Sequence, residues 1–476
     1  MTIDTLLEVV KSYNEEEVER VKKAYDYANM LHAGQYRQSG EPYITHPLNV
    51  AYILATMHFD SDTLCAGLLH DTLEDTNTTK EDIAELFGKT VSNLVDGVTK
   101  ISKMNFSTKE EQNLANIRKI FTSITYDIRI IFIKVADRLH NMRTMEYKST
   151  FKQKENSLET IELYVPLAYH TGMYCIKNEL EDLSLRYLKP DMYQRIVEKR
   201  NVITEESKPY LEEMSYKIGK SINDIGIPNE IKSRIKNNYG IYKKLSKGSK
   251  ISDIHDLLAL KIMVKEVEDC YRCLYSVHKE YRPINEKFKD YICNPKTNKY
   301  QSLHTTVFGP DERLVQTQIR TFEMEEINSF GLIAYWNIAN GNARDTMQEE
   351  IRNKYQFFKL LSEISTTFSD NYEFVKQVKE ELFAGKVYIY SSTGNIVELP
   401  IGSTIIDYAY QLGDEIAETM VLAKVNEEYV PLNYVLQNKD RVKIITDDLS
   451  FGPREDWINI AKTSYAKKRI LEFNNK

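Results

Sequence analysis

The residues best equipped for chemistry sit in three short strings. In AGLLHDTLEDT (66–76), His70 and Asp71 are adjacent, and Glu74 and Asp75 follow one helical turn later. The spacing predicts one helix on which the pairs 70/74 and 71/75 occupy neighbouring strips. Four ionisable groups beside AGLL, on a face that should be buried, are expensive unless a cation compensates them. YRQSGEPYITHP (36–47) adds His46, and VADRLHNMRT (135–144) adds Asp137. Two imidazoles and two carboxylates make a mixed nitrogen and oxygen set suited to manganese, iron or zinc. Read singly, His46 before a proline is a helix cap, and Asp71 and Asp75 are surface ion-pair partners. Read together, with Arg138 and Asn141 beside Asp137, they form a metal site.

A second concentration is cationic. KSRIKNNYGIYKKLSKGSK (232–250) carries seven basic residues and no acid. Alone it reads as a solvated helical face. The pair Cys270 and Cys273 has metal-like spacing, but it lies on an amphipathic helix with no second pair, which argues against zinc or redox chemistry.

Several domains are needed to position these groups. At about 150 residues per domain, 476 residues imply roughly three. Hydrophobic residues at 42% and charged residues at 28% exclude a disordered or collagen-like chain. A net charge of −7 argues against a general nucleic-acid coat or polybasic membrane binder. Five cysteines give no disulfide framework, the acidic N-terminus is unlike a signal peptide, and no apolar run is long enough for a membrane helix. A cytoplasmic, soluble protein is expected.

Residues 1–195 show helical periodicity, as in PLNVAYILATM and TIELYVPLAYH, and 196–225 read as a polar helical connector. In 226–340, short β-branched runs (ALKIMV, TTVFG, VQTQIRT) alternate with helices, as in an α/β domain. A helical bridge (341–385) precedes a third unit, 386–447. There KVYIYSSTGNIVELP predicts a hairpin with a TGN turn, IIDYAYQL a short helix, and RVKIIT a strand. The tail, 448–476, reads as helical.

RQSGEPYITHP, LLHDTLEDT, VADRLHNMRT and ELEDLSLRYLKP, in this order, resemble the HD-type metal phosphohydrolase half of the Rel/Spo family of guanosine tetra- and pentaphosphate (ppGpp and pppGpp) enzymes. The resemblance implies a multidomain fold: an all-α HD domain, an α/β nucleotidyltransferase-like synthetase domain and a small β-grasp-like TGS domain. It makes His46, His70, Asp71 and Asp137 the ligands of a manganese ion, which would polarise a water. Glu74 and Asp75 would orient or deprotonate that water. Arg37, Asn141 and Thr144 would hold the nucleotide. Gln38 stands where the family has lysine, which removes a charge near the guanosine.

FKDYICNPKTNKYQSLHTT (288–306) and QIRTFEMEEINSFGLIAYW (318–336) resemble the family's pyrophosphokinase, which moves pyrophosphate from ATP to GDP or GTP. The resemblance gives Arg234, Lys236 and Lys289 to phosphate and nucleotide, Asp256 to magnesium, Tyr300 to guanine stacking and His304 to substrate. Gln316 stands where the family has its catalytic glutamate. An amide neither takes a proton nor brings charge to magnesium, and loss of a general base costs about 10²–10⁴ in rate. Lys261 replaces a stacking arginine, Tyr335 a histidine and Gly240 a serine. Synthesis is therefore expected to be lost, while guanine nucleotides still bind.

GSTIIDYAYQL and DRVKIIT resemble the TGS domain. Gly413 and Leu422 stand where a tRNA-contacting histidine and a glycine are usual, which argues against a ribosome or tRNA contact. The chain is expected to lack the family's further regulatory modules. The expected activity is manganese-dependent hydrolysis of ppGpp or pppGpp. The alternatives are a bifunctional enzyme that still synthesises and a non-catalytic guanine-nucleotide sensor.

Overall fold

The computed structural model describes residues 1–99, 108–296, 298–334, 351, 355–383, 385–391 and 396–475. Two compact units result, one from residues 1–99 and 129–351, the other from the remainder. Among the described residues, no helix is long and apolar enough to cross a membrane.

The first unit begins with helices α1 (Ile3–Lys11), α2 (Val18–Leu31), α3 (Thr45–Ala55), α4 (Ser61–Leu69), α5 (Thr72–Asp75), α6 (Lys80–Phe87) and α7 (Lys89–Val98). Every residue of α4 except Asp62 is buried. Its N-terminus is capped by Asp60, whose carboxylate accepts from the Thr63 amide at 2.9 Å and pairs with the buried Arg129 at 3.4 Å. Helix α8 (Lys109–Tyr126) lies in the 1–195 stretch of sequence but packs within the second unit. There Arg118 donates to the Phe368 carbonyl at 2.8 Å, and the Phe121 ring lies 6.4 Å from Phe374.

The first unit resumes with α9 (Arg129–Arg143), α10 (Thr150–Glu159), α11 (Val165–His170), α12 (Tyr174–Leu188) and α13 (Pro190–Asn223). The 34 residues of α13 contain all but the last two residues of the stretch 196–225 read as a connector. It is helical, and its face of Ile196, Tyr210, Leu211, Met214, Ile218 and Ile222 joins the core of the α/β domain.

That domain consists of β1 (Glu230–Ile235), α14 (Asn238–Leu245), β2 (Leu258–Val264), α15 (Val267–Glu280), β3 (Lys289–Asp290), β4 (Leu303–Phe308), β5 (Leu314–Thr321) and α16 (Phe322–Phe330). The strand order is β1-β2-β5-β4-β3, with β2 and β5 parallel and the other pairs antiparallel. Leu260, Ile262, Val315 and Ile319 lie on one face and are fully or almost fully buried.

In the second unit, β6 (Lys386–Ser391), β7 (Ile396–Pro400), β8 (Met420–Val425), β9 (Glu428–Val430) and β10 (Arg441–Thr446) form a sheet in the order β7-β6-β10-β8-β9. The antiparallel β6–β7 pair is the expected hairpin, while its TGN turn lies outside the described residues. The expected short helix spans Ile405–Leu412 and ends at Gly413, at φ 151°. Among the described residues, the tail is helical only over Glu455–Asn459 and Ser464–Asn474; Gly452 and Pro453 interrupt it before the first of these.

Candidate metal centre and nucleotide-binding face

The run 66–76 is not the single helix expected. It breaks at His70 and Asp71 between α4 and α5, where Thr72 turns its hydroxyl back to the Leu69 carbonyl at 2.7 Å. The break brings an Asp71 carboxylate oxygen to 3.2 Å from His70 Nε2. Helix α3 supplies His46 from its first turn, and α9 supplies Asp137. His46 Nε2 lies 3.2 Å from Asp137 and 3.6 Å from Asp71. Ligand atoms of His46, His70 and Asp137 all fall within 4.8 Å of one another. This is the spacing of a set that closes on one divalent ion.

The fit to a cation is clearest at His70. Its Nδ1 lies 2.8 Å from the Gly67 carbonyl. A carbonyl only accepts, so Nδ1 carries the hydrogen and Nε2 presents a lone pair. That Nε2 is buried with no hydrogen-bond partner and faces Asp71 at 3.2 Å and Asp137 at 3.8 Å. A lone pair aimed at two carboxylates is repulsive until a cation stands between them.

Periodicity along α9 lines the site. Lys134, Asp137, His140, Asn141 and Thr144 recur at three- and four-residue spacing. Lys134 is buried, with Nζ 3.7 Å from Asp137. Burial opposes the ionised Asp137, but the Lys134 charge beside it helps hold its carboxyl well below the usual range. Asn141 donates to Asp137 at 2.6 Å and accepts from Arg37 at 3.0 Å, which ties an expected nucleotide contact to an expected ligand. Thr144 turns its hydroxyl to the His140 carbonyl at 3.1 Å. Arg138, grouped with the site by sequence, turns away to Glu159 at 2.7 Å and lies over the Tyr164 ring. Asp75 is exposed and Glu74 half-buried on α5, while Gln38 is exposed.

Three residues escaped sequence reasoning. The Tyr43 hydroxyl lies 2.9 Å from Asp71 and 2.8 Å from Asp75, and its single hydrogen is shared between the two carboxylates. His140 Nδ1 lies 2.7 Å from His46 Nδ1, and burial, His46 and Arg37 push its pKa down to about 3. Lys134 is the third. The α9 spacing could have flagged Lys134 and His140, and the PYITHP string contains Tyr43.

In the α/β domain, strand register gathers the second set. Lys232, Lys261, Gln318, His304 and Lys289 are paired neighbours across all five strands, so their side chains share one face. Arg234 and Gln316 lie on the same face in the adjacent row, both opposite Ala259. Gln316 accepts from Gln318 at 2.7 Å, Gln318 accepts from Arg320 at 2.6 Å, and Arg320 donates to the Tyr300 hydroxyl at 2.9 Å. Tyr300 and His304 are 2.8 Å apart, and Lys296 lies over the Tyr300 ring. Burial first, then Arg320, Lys296, Lys289 and Arg234, push the His304 pKa down to about 3.

Asp256, the expected magnesium ligand, is 2.5 Å from Lys236. Gly240 leaves room for that lysine, since a Cβ there would lie 2.9 Å from Lys236 Cε. Lys261 pairs with Glu325 at 2.6 Å, and Glu325 also takes Arg320 at 2.9 Å. Tyr335 lies outside the described residues.

The chain matches three family models: an HD domain over residues 24–174, the region found in RelA / SpoT proteins over 233–343, and a TGS domain over 387–446. It is 41% identical over 457 residues to a GTP pyrophosphokinase of Myxococcus xanthus, covering 95% of this chain and 60% of that protein. It is 40% identical over 483 residues to a guanosine-3′,5′-bis(diphosphate) 3′-pyrophosphohydrolase of Aquifex aeolicus, covering 100% of this chain and 67% of that protein. With the bifunctional (p)ppGpp synthase/hydrolase SpoT of Escherichia coli it shares 38% identity over 473 residues, 99% of this chain and 67% of that one. The chain thus spans 60–67% of the length of these relatives. With an HD domain, a RelA/SpoT region and a TGS domain in this order, the chain belongs to the RelA/SpoT family.

Proposed function

We propose that the chain is a manganese-dependent, cytoplasmic hydrolase that removes the 3′-pyrophosphate of ppGpp or pppGpp, leaving GDP or GTP. The observation that carries this reading is the buried, unpartnered Nε2 of His70 facing Asp71 and Asp137. Relatives of about 40% identity that bear pyrophosphohydrolase names support it.

His46, His70, Asp71 and Asp137 are the proposed ligands. A divalent ion held there supplies Lewis-acid polarisation of water and phosphate oxygens. Glu74 and Asp75, on the short helix beside the ligands, orient the attacking water and take its proton. Arg37, Asn141 and Thr144 hold the nucleotide so that the bond from phosphorus to the 3′ oxygen is the one that breaks. On the sheet face, Gln316 supplies no charge to magnesium and no base for a 3′-hydroxyl, so that face binds guanine nucleotides without joining them to pyrophosphate.

The test is pyrophosphate release from ppGpp by the full chain, with manganese and with chelator. GDP should form only with manganese, and Asp71→Ala should abolish its formation. Turnover that survives chelation, or that Asp71→Ala leaves unchanged, would sink the reading.

A further inference from the structure

His140 touches none of the atoms expected to hold the ion, yet it decides which nitrogen of His46 is available to do so. The two rings are buried, with centroids 4.9 Å apart, and their Nδ1 atoms lie only 2.7 Å apart. Two imidazole nitrogens at that distance share one hydrogen. Two hydrogens would collide, and two lone pairs would repel.

Arg37 fixes where that hydrogen sits. Its Nη1 lies 3.5 Å from the same Nδ1 of His140. A guanidinium has five donors and no acceptor, so the nitrogen it faces presents a lone pair. Nδ1 of His140 is therefore the acceptor, and the shared hydrogen belongs to Nδ1 of His46. That leaves Nε2 of His46 as a lone pair, on the edge of the ring that faces Asp137 at 3.2 Å and Asp71 at 3.6 Å. Gly67 fixes His70 in the same way, through its carbonyl.

We propose that His140 is the positioning residue for metal ligand His46: it accepts the Nδ1 hydrogen of His46 and so presents Nε2 to the ion. Arg37 orients His140 from the nucleotide side. The proposal rests on the metal-dependent reading above.

Manganese binding to the full chain, measured calorimetrically without nucleotide, tests it separately from turnover. Loss of an outer partner of a metal-bound histidine costs about 10–100-fold in metal affinity. His140→Leu, which has no acceptor, should lose that much. His140→Asn, whose amide oxygen can take the place of Nδ1, should stay within about threefold of wild type on the same scale. Melting curves of the metal-free proteins check that each variant folds. Equal affinity in wild type and His140→Leu would overturn the proposal and leave the hydrolase reading standing. So would an Asn variant more than about tenfold weaker than wild type, and this arm suffices if the Leu variant does not fold. A wild-type chain that binds no manganese would overturn both.

Discussion

Gly172 and Gly331 meet backbone to backbone, each at positive φ, 77° and 61°. Gly172 follows α11, whereas Gly331 ends α16 of the α/β domain. The Leu332 amide donates to the Thr171 carbonyl at 2.9 Å and locks the contact. A Cβ on Gly331 would lie 2.0 Å from that carbonyl oxygen and 2.6 Å from Gly172. The expected outcome for Gly331→Ala is a loss of about 2 kcal/mol or more, from strain plus collision. Gly226, at φ 77° with nothing near its Cβ position, is the control. Its alanine variant should lose only about 1–2 kcal/mol. Thermal melts of the two variants compare them, and equal shifts would remove the contact as a constraint.

Asp407 performs a similar service in the second unit. Its buried carboxylate accepts from the Thr404 amide and hydroxyl, the Lys462 amide, and the Thr463 amide and hydroxyl. These bonds fasten the start of the last helix, Ser464–Asn474, beside Ile405–Leu412. Asp407→Ala strands several buried donors, and bonds to a charged group contribute about 1.5–3 kcal/mol each. The second unit should melt several degrees earlier, with manganese affinity in the first unit unchanged. Calorimetry with two resolved transitions reads both.

Much of this arrangement was legible in the sequence, and what was missed shares a cause. The strings around His46, His70 and Asp137 each contain a residue that the structure brings within 4.8 Å of the others. Charged residues in apolar runs stand out whatever the fold. His140 and Lys134 did not stand out, because α9 is buried on nearly every side and only their three-residue spacing from Asp137 marks them. The partner of His140 lies 94 residues away, a relation that only tertiary packing creates. The break at His70 and Asp71 was hidden because both residues keep near-helical angles while the hydrogen-bond ladder changes. The apolar face of α13 was diluted by 34 residues of largely polar sequence.

Gln316 shares the sheet face with Arg234, Lys261 and His304, with Gln318 as its side-chain partner. If the amide is what stops synthesis, Gln316→Glu restores a base and a negative charge at one stroke. The expected outcome is that wild type forms no ppGpp from ATP and GDP with magnesium, and that Gln316→Glu raises synthesis by about 10²-fold or more. Hydrolysis should not change. Synthesis by wild type that Asp256→Ala removes would establish the bifunctional alternative. No gain in the glutamate variant would shift the cause to the Lys261–Glu325 and Lys236–Asp256 pairs, which occupy the neighbouring cations.

Tyr43 gives the sharpest test of the role proposed for the exposed Asp75. The hydroxyl stands between Asp71 at 2.9 Å and Asp75 at 2.8 Å, and the ring is stacked on His32 with centroids 4.7 Å apart. An exposed carboxylate samples many rotamers unless something tethers it, and an untethered base is seldom aligned with its water. Tyr43→Phe keeps the stacked ring and removes the hydroxyl shared by Asp75 and Asp71. Hydrolysis of ppGpp should therefore fall about 10–100-fold, as for other outer partners of metal sites, with no change in melting temperature. The loss should appear in kcat rather than KM, because the proposed nucleotide contacts Arg37, Asn141 and Thr144 are untouched. Asp75→Asn should lose at least as much. The double variant should lose no more than Asp75→Asn alone, since a tether has no effect once the group it holds is gone. Additive losses would mean that Tyr43 acts through Asp71 instead.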